Sequence, residues 1–182
     1  MRQRMKNGLR TAGVVALVVA AAFGYVHLAE NKGYALKAGS EAPAFRLPSL
    51  AGSEMDLASQ RGKVVVLNFW ATWCPPCVAE MPALERLHQA LGPEGLSVLT
   101  VSTDEDEAAL HRFVAERSLT LPVLKDPGGR VAAAEYRTTG YPETFVLDRQ
   151  GRVLQHVVGP AEWDSAERLA YFRGVLEGVT AR

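Results

Sequence analysis

Cys74 and Cys77 are the only cysteines of this 182-residue chain, and two residues separate them in Trp70-Ala71-Thr72-Trp73-Cys74-Pro75-Pro76-Cys77. Before them, Val64-Val65-Val66-Leu67-Asn68-Phe69-Trp70 has the β-branched, apolar character of a buried strand. After them, Pro75, Cys77, Glu80 and Leu84 open a helical spacing. A cysteine at the first turn of such a helix faces unpartnered amides and the positive end of the helix dipole, both of which favour its thiolate. Because the thiolate is the form that attacks a disulfide, the layout is that of a dithiol redox centre.

Other uses of two cysteines fit less well. Zinc needs four cysteine or histidine ligands in spaced pairs, and His27, His88, His111 and His156 show no such pairing, so no metal site is expected. Haem attachment needs a histidine directly after the second cysteine, where Val78 stands. A purely structural disulfide remains an alternative outside the cytosol, although closing so short a loop removes little chain entropy.

Position along the helix divides the work between the two sulfurs. Cys74, nearer the helix start and the surface, is expected to attack, and Cys77, one turn inside, to resolve the mixed disulfide. Pro75 and Pro76 tune the pair by what they lack: neither has an N–H for the Cys74 sulfur, which leaves the Cys77 amide as the nearest donor. Less thiolate stabilisation makes a better reductant, though proline in a first turn also simply starts a helix. Glu80 lies three residues beyond Cys77 on the same face and could carry the resolving thiol's proton, with its pKa raised if buried. Alternatively it is a solvated helix glutamate like Glu85. Pro82 removes a backbone bond inside the helix and is expected to kink it.

The elements that must position these residues alternate. The helix over 76–91 is stopped by Gly92-Pro93; a strand follows at 96–102 and a helix over 105–118, whose acidic start at Asp104 to Glu107 reads as a helix N-terminus. Leu121 to Leu124 reads as a short strand, and Gly128-Gly129 leads into a brief helix ending near Tyr136. A hairpin over 144–158 turns at Asp148-Arg149-Gln150-Gly151, and a last helix over 161–176 carries Trp163, Ala166, Leu169, Ala170 and Phe172 as its apolar face. Phe45-Arg46-Leu47 and Met55-Asp56-Leu57 form a short hairpin ahead of the sheet. His88, His111 and His156 read as ordinary surface or edge residues.

The N-terminus divides the chain into four parts. Residues 1–10 are a basic cytoplasmic tail with Arg2, Arg4, Lys6 and Arg10; 11–29 form an apolar signal-anchor long enough to span a bilayer; 30–38 are a linker; 39–182 are the domain. Basic residues on one flank keep that flank inside, so the domain is expected outside the cytoplasm. A cleaved signal peptide is the alternative, since Ala20-Ala21-Ala22 offers small residues, but the apolar run continues through Phe23, Tyr25 and Val26. Residues 1–32 hold five of the 20 basic residues and one of the 20 acids, leaving the rest at a net −4, so nucleic-acid binding has no electrostatic support.

Strands alternating with helices and closed by a hairpin imply an α/β, thioredoxin-like fold: a central mixed β-sheet flanked by helices, with an N-terminal β-hairpin. From Gly39 to Leu176 the chain resembles the membrane-anchored thioredoxin-like reductases of the TlpA/ResA type and their relative CcmG, also called DsbE, and its segment at about 120–136 resembles the short inserted βα segment these proteins carry before the C-terminal hairpin. The resemblance rests on Asn68-Phe69-Trp70-Ala71-Thr72-Trp73-Cys74-Pro75-Pro76-Cys77, on Glu80-Met81-Pro82, and on Gly140-Tyr141-Pro142-Glu143-Thr144-Phe145-Val146-Leu147-Asp148. The charged interior Asp of ordinary thioredoxin has no counterpart, and Glu80 supplies the acid instead.

That resemblance implies a cis bond at Tyr141-Pro142, with the backbone of residue 141 turned toward Cys74 to pair with an extended client, and Trp73 covering the disulfide. Glu143 and Arg137 flank the same loop. It further implies a single-pass protein of the bacterial inner membrane, its catalytic domain periplasmic. The protein would reduce protein disulfides such as that of apocytochrome c and be recharged by a membrane thiol carrier of the DsbD/CcdA type, with no cofactor beyond the cysteine pair. Alternatives are a reductase for another exported client, such as a copper-site assembly protein, or a non-catalytic dithiol metal-binding module.

Overall fold

The structure, a computed structural model, describes residues 36–178. The basic tail and the expected signal-anchor at 11–29 lie outside the described residues, and among the described residues no helix is long and apolar enough to cross a membrane. Along the chain run β1 (Arg46–Pro48), β2 (Glu54–Asp56), a 3-10 turn (Leu57–Gln60), β3 (Val64–Trp70) and α1 (Pro75–Leu91). Next come β4 (Leu96–Ser102), α2 (Glu107–Glu116), β5 (Val123–Lys125) and a π-helical turn (Val131–Glu135), then β6 (Glu143–Leu147), β7 (Val153–Val158) and α3 (Ala166–Leu176).

β3 is the centre of the molecule because all seven of its residues are buried. Alternate side chains feed two cores: Val64, Val66 and Trp70 pack with Met81, Leu84 and Leu87 of α1, while Val65, Leu67 and Phe69 pack on the opposite face with Tyr136 and Phe145. A strand covered on both faces loses polar alternation, which is why it reads as a continuous apolar run. Only Asn68 interrupts it, on the α1 side.

Five strands form one sheet in the order β5-β4-β3-β6-β7, and β1-β2 pair separately as the expected hairpin. β3 runs parallel to β4 and β4 to β5, whereas β6 is antiparallel to β3 and β7 to β6. The inserted βα segment is β5 with the π-helical turn. The chain joins the sheet from Gly39 onward: Gly39 N–H donates to the Val153 carbonyl at 2.7 Å and Ala42 N–H to the Gly151 carbonyl at 2.9 Å.

α1 runs to Leu91 with Pro82 inside it and Gly92 as its C-cap, as the spacing predicts. Other expectations need correction. α2 is shorter than 105–118, because the Asp106 carboxylate caps it by accepting the Ala109 N–H at 3.0 Å. The last helix starts at Ala166, where Ser165 caps it, so Trp163 precedes the helix instead of lying on its apolar face. Glu85 is not a solvated glutamate. Buried on α1, it accepts the N–H groups of Thr120 and Leu121 at 2.9 and 3.0 Å and also the Thr120 hydroxyl, tying the chain ahead of β5 to the helix. Burial raises its pKa, but these bonds and that from Gln89 together hold the carboxyl below the usual range.

Candidate active site

Cys74 is the N-cap of α1, and its backbone is still extended there. The sulfur is bonded to Cys77 in a disulfide with the Cα atoms 5.3 Å apart. Pro75 and Pro76 fill the first two helical positions, so the first amide able to reach the Cys74 sulfur is that of Cys77, which donates at 3.3 Å. Of the two sulfur residues, Cys74 keeps 5% of its surface in solvent and Cys77 none.

Opposite the sulfur lies the loop before β6. The Tyr141-Pro142 bond is cis, and the Tyr141 carbonyl oxygen stands 3.5 Å from Cys74 Sγ. Trp73 is 66% exposed, and its ring meets that of Tyr141 edge to face with centroids 6.0 Å apart. Trp73, Cys74 and Tyr141 thus come together, with Pro142 buried directly after Tyr141. Beside them an open groove of about 550 Å³ is lined by Trp73, Tyr141, Glu105 and Asp106.

Glu80 sits one turn beyond Cys77 and is 4% exposed. Three donors converge on it: Asn68 Nδ2 at 2.9 Å on Oε1, and the Ala161 N–H at 3.1 Å and Trp163 indole N–H at 2.9 Å on Oε2. Burial pushes the carboxyl above the usual range, opposed by the bonds from Trp163, Ala161 and Asn68. The consequence for stability has a definite sign. A carboxyl whose folded pKa is raised contributes stability fully present below the ordinary glutamate value of 4.5 and lost as pH rises through the raised one. Denaturant unfolding of the oxidised protein across that window should therefore show Glu80→Gln gaining on the unsubstituted protein as pH rises; parallel curves would remove this account.

Several residues that organise the site escape sequence reasoning. Glu143 is completely buried; its Oε1 accepts the Thr139 N–H at 2.6 Å, the Thr139 hydroxyl at 2.8 Å and the Gly140 N–H at 3.2 Å. Its Oε2 lies 2.8 Å from His156 Nε2, and the His156 ring stacks on Phe145, so His156 is no ordinary edge residue. This carboxylate anchors the Tyr141 loop from behind, whereas Arg137 enters the same stretch with a left-handed backbone, φ 54°. Asp104 is not part of a helix start. It is buried and accepts the Thr72 N–H at 2.9 Å and the hydroxyls of Thr72 and Ser102 at 2.6 Å, fixing the turn that leads into Cys74. Gly129 makes room: a Cβ there would stand 2.9 Å from the Tyr141 hydroxyl. The signal available for Glu143 and Asp104 was position alone, each beside a motif residue.

A disulfide on the first turn of the sheet's central helix, faced by the carbonyl before a proline, makes this domain a thioredoxin-like thiol-disulfide oxidoreductase whose redox group is the cysteine pair itself. The chain belongs to the AhpC/TSA family, which it matches over residues 38–156. It is 35% identical over 170 residues to the thiol-disulfide oxidoreductase ResA of Geobacillus kaustophilus, covering 92% of this chain and 96% of that one. Among solved structures it is similar to a Chlorobium tepidum protein proposed as thiol:disulfide interchange protein DsbE, with a TM-score of 0.68, 31% identity, and 79% and 99% of the two chains covered. It is also similar to a secreted Mycobacterium tuberculosis disulfide oxidoreductase homologous to Escherichia coli DsbE, with a TM-score of 0.61, 30% identity and 69% and 94% covered.

Proposed function

We propose that this oxidoreductase works as a membrane-anchored reductant of protein disulfides outside the cytoplasm, serving c-type cytochrome maturation. The observation that carries the reductive direction is the arrangement at the helix start. Two prolines leave the Cys74 sulfur a single helix amide, and a buried carboxyl stands one turn behind the pair. Both features withhold stabilisation from thiolate, and a dithiol that is poorly stabilised when reduced gives up its electrons readily.

In the cycle, the Cys74 thiolate attacks one sulfur of a client disulfide, forming a mixed disulfide and expelling the other client sulfur, which takes a proton from solvent. Cys77 then gives its proton to Glu80, and its sulfur attacks Cys74 Sγ. The second client thiolate leaves with the bonding pair and is protonated. Two thiols have been oxidised to the Cys74–Cys77 disulfide and one client disulfide reduced to two thiols. Trp73 and the Tyr141 carbonyl beside Pro142 supply an apolar contact and a strand-like acceptor for the client backbone. A membrane dithiol carrier of the DsbD/CcdA type restores the reduced form.

Equilibration with glutathione tests the direction. In a glutathione buffer poised at about −220 mV the pair should remain mostly disulfide, and full reduction there would make the protein an oxidant. The anchor is tested separately. The basic flank and the apolar run at 11–29 predict that a reporter active only outside the cytoplasm, fused after Ser40, is active and stays with membranes through alkaline extraction. Recovery of a soluble chain beginning near Phe23 would replace the anchor with a cleaved signal.

A further inference from the structure

The two oxygens of Glu80 are held by different kinds of partner. Oε2 is met by the Ala161 N–H and the Trp163 indole N–H, groups that can only donate. A proton taken up by Glu80 therefore belongs on Oε1, the oxygen to which Asn68 Nδ2 donates at 2.9 Å. The same Nδ2 donates to Thr144 Oγ1 at 2.9 Å, while the other end of the amide, Oδ1, is buried with no hydrogen-bond partner. An amide oxygen left unpaired in a dry site is costly, and this one belongs to the side chain that faces the protonatable oxygen. Both partners of Nδ2 can reverse their roles, since a hydroxyl donates as well as accepts and a protonated carboxyl donates.

We propose that the Asn68 carboxamide turns over when Glu80 takes up a proton, presenting Oδ1 to the new Oε1–H and to the Thr144 hydroxyl, and turns back when the proton leaves. The inference rests on the reading of Glu80 as the base for Cys77. When the Cys77 thiol gives its proton to Glu80 and the Cys77 sulfur displaces the client from Cys74, the carboxyl becomes a donor facing another donor unless the amide turns. The departing client thiolate takes its proton from solvent, and Glu80 returns its own to solvent afterwards, so the balance closes. In either orientation one end of the amide is unpaired, and the turn exchanges one orphan for the other. Asn68 is thus a positioning residue that lets a carboxyl change protonation inside the core. The groups bonded to Glu80 are Asn68 from β3, with Thr144 of β6 behind it, and Ala161 and Trp163 from the chain before α3, while Cys77 lies three residues earlier on its own helix. Among the described residues no charged side chain is hydrogen-bonded to it.

The chain has three asparagines, Asn7, Asn31 and Asn68, so full-length protein labelled with nitrogen-15 at asparagine and held in detergent micelles gives a readable side-chain amide spectrum. As pH falls through the titration of Glu80, the Asn68 amide protons should lose their proximity signals to the Thr144 side chain, in a transition absent from Glu80→Gln. Signals unchanged across the titration overturn the proposal without requiring any variant to fold. In rapid mixing, Asn68→Leu should slow client release from a preformed Cys74 mixed disulfide about tenfold while changing the first attack by less than about twofold. Release at the unsubstituted rate also overturns the proposal. If Glu80→Gln itself releases at that rate, the reading of Glu80 fails; if it is slow while the amide stays fixed, Asn68 alone is misassigned.

Discussion

Protein carrying Cys77→Ser should accumulate clients bound through Cys74, and protein carrying Cys74→Ser should accumulate almost none, with catalytic reduction lost in both. The asymmetry comes from exposure and from the helix start. Cys74 retains solvent contact, caps α1 and receives the Cys77 N–H at 3.3 Å, whereas Cys77 is wholly buried in the core beneath it. A client sulfur can therefore reach Cys74 in line and can reach Cys77 only by displacing packed side chains. Without Cys77 the mixed disulfide has no internal exit and persists until an external thiol cleaves it. Non-reducing electrophoresis after acid quenching reads the outcome, and equal trapping by the two variants would reverse or erase the division of labour.

A strain lacking the protein should lose most of its mature c-type cytochrome and recover it when a small thiol is supplied outside the cell. Thioether attachment of haem consumes free cysteine thiols, so a client locked as a disulfide cannot be matured. A missing reductant is chemically replaceable, because any thiol of sufficiently low potential performs the same exchange, whereas a missing scaffold is not. Haem-stained membrane proteins measure the result. Normal cytochrome in the deletion strain would sink the client assignment and leave the disulfide chemistry standing; loss without thiol rescue would mean that the protein does more than reduce.

Much of the frame was legible because local pattern and tertiary role coincide in it. The continuous apolar run Val64–Trp70, the proline-led helix start at Cys74 and the Gly92 stop each carry their cause within a few residues. Legibility failed where a polar side chain is fixed by a distant part of the chain. Asp104 bonds Thr72 across 32 positions, Glu85 bonds Thr120 across 35, Asn68 bonds Thr144 across 76 and Glu80 bonds Trp163 across 83. Such residues resemble any solvated polar residue until the fold closes over them. Trp163 shows the same failure from the apolar side. Its spacing fits the helix that follows, but its indole N–H is needed by Glu80, and Ser165 begins the helix two residues later. The sequence left Glu80 open between a buried proton carrier and a solvated glutamate, and the three donors that make its burial tolerable lie too far along the chain to be read from the motif.

The Cys74 sulfur, while bonded to Cys77, also caps α1 by accepting the Cys77 N–H at 3.3 Å. The redox bond is thus part of the helix start itself, and opening or closing it is coupled to the stability of the fold. Reducing power then becomes a folding quantity. The difference in unfolding free energy between the closed and open forms equals the difference in potential between the native and the unfolded pair, at about 1.4 kcal/mol for each 30 mV. Two denaturation curves, one for each oxidation state, thus serve as a potentiometer for this site, and any substitution that changes one curve without the other has altered the chemistry and not merely the fold.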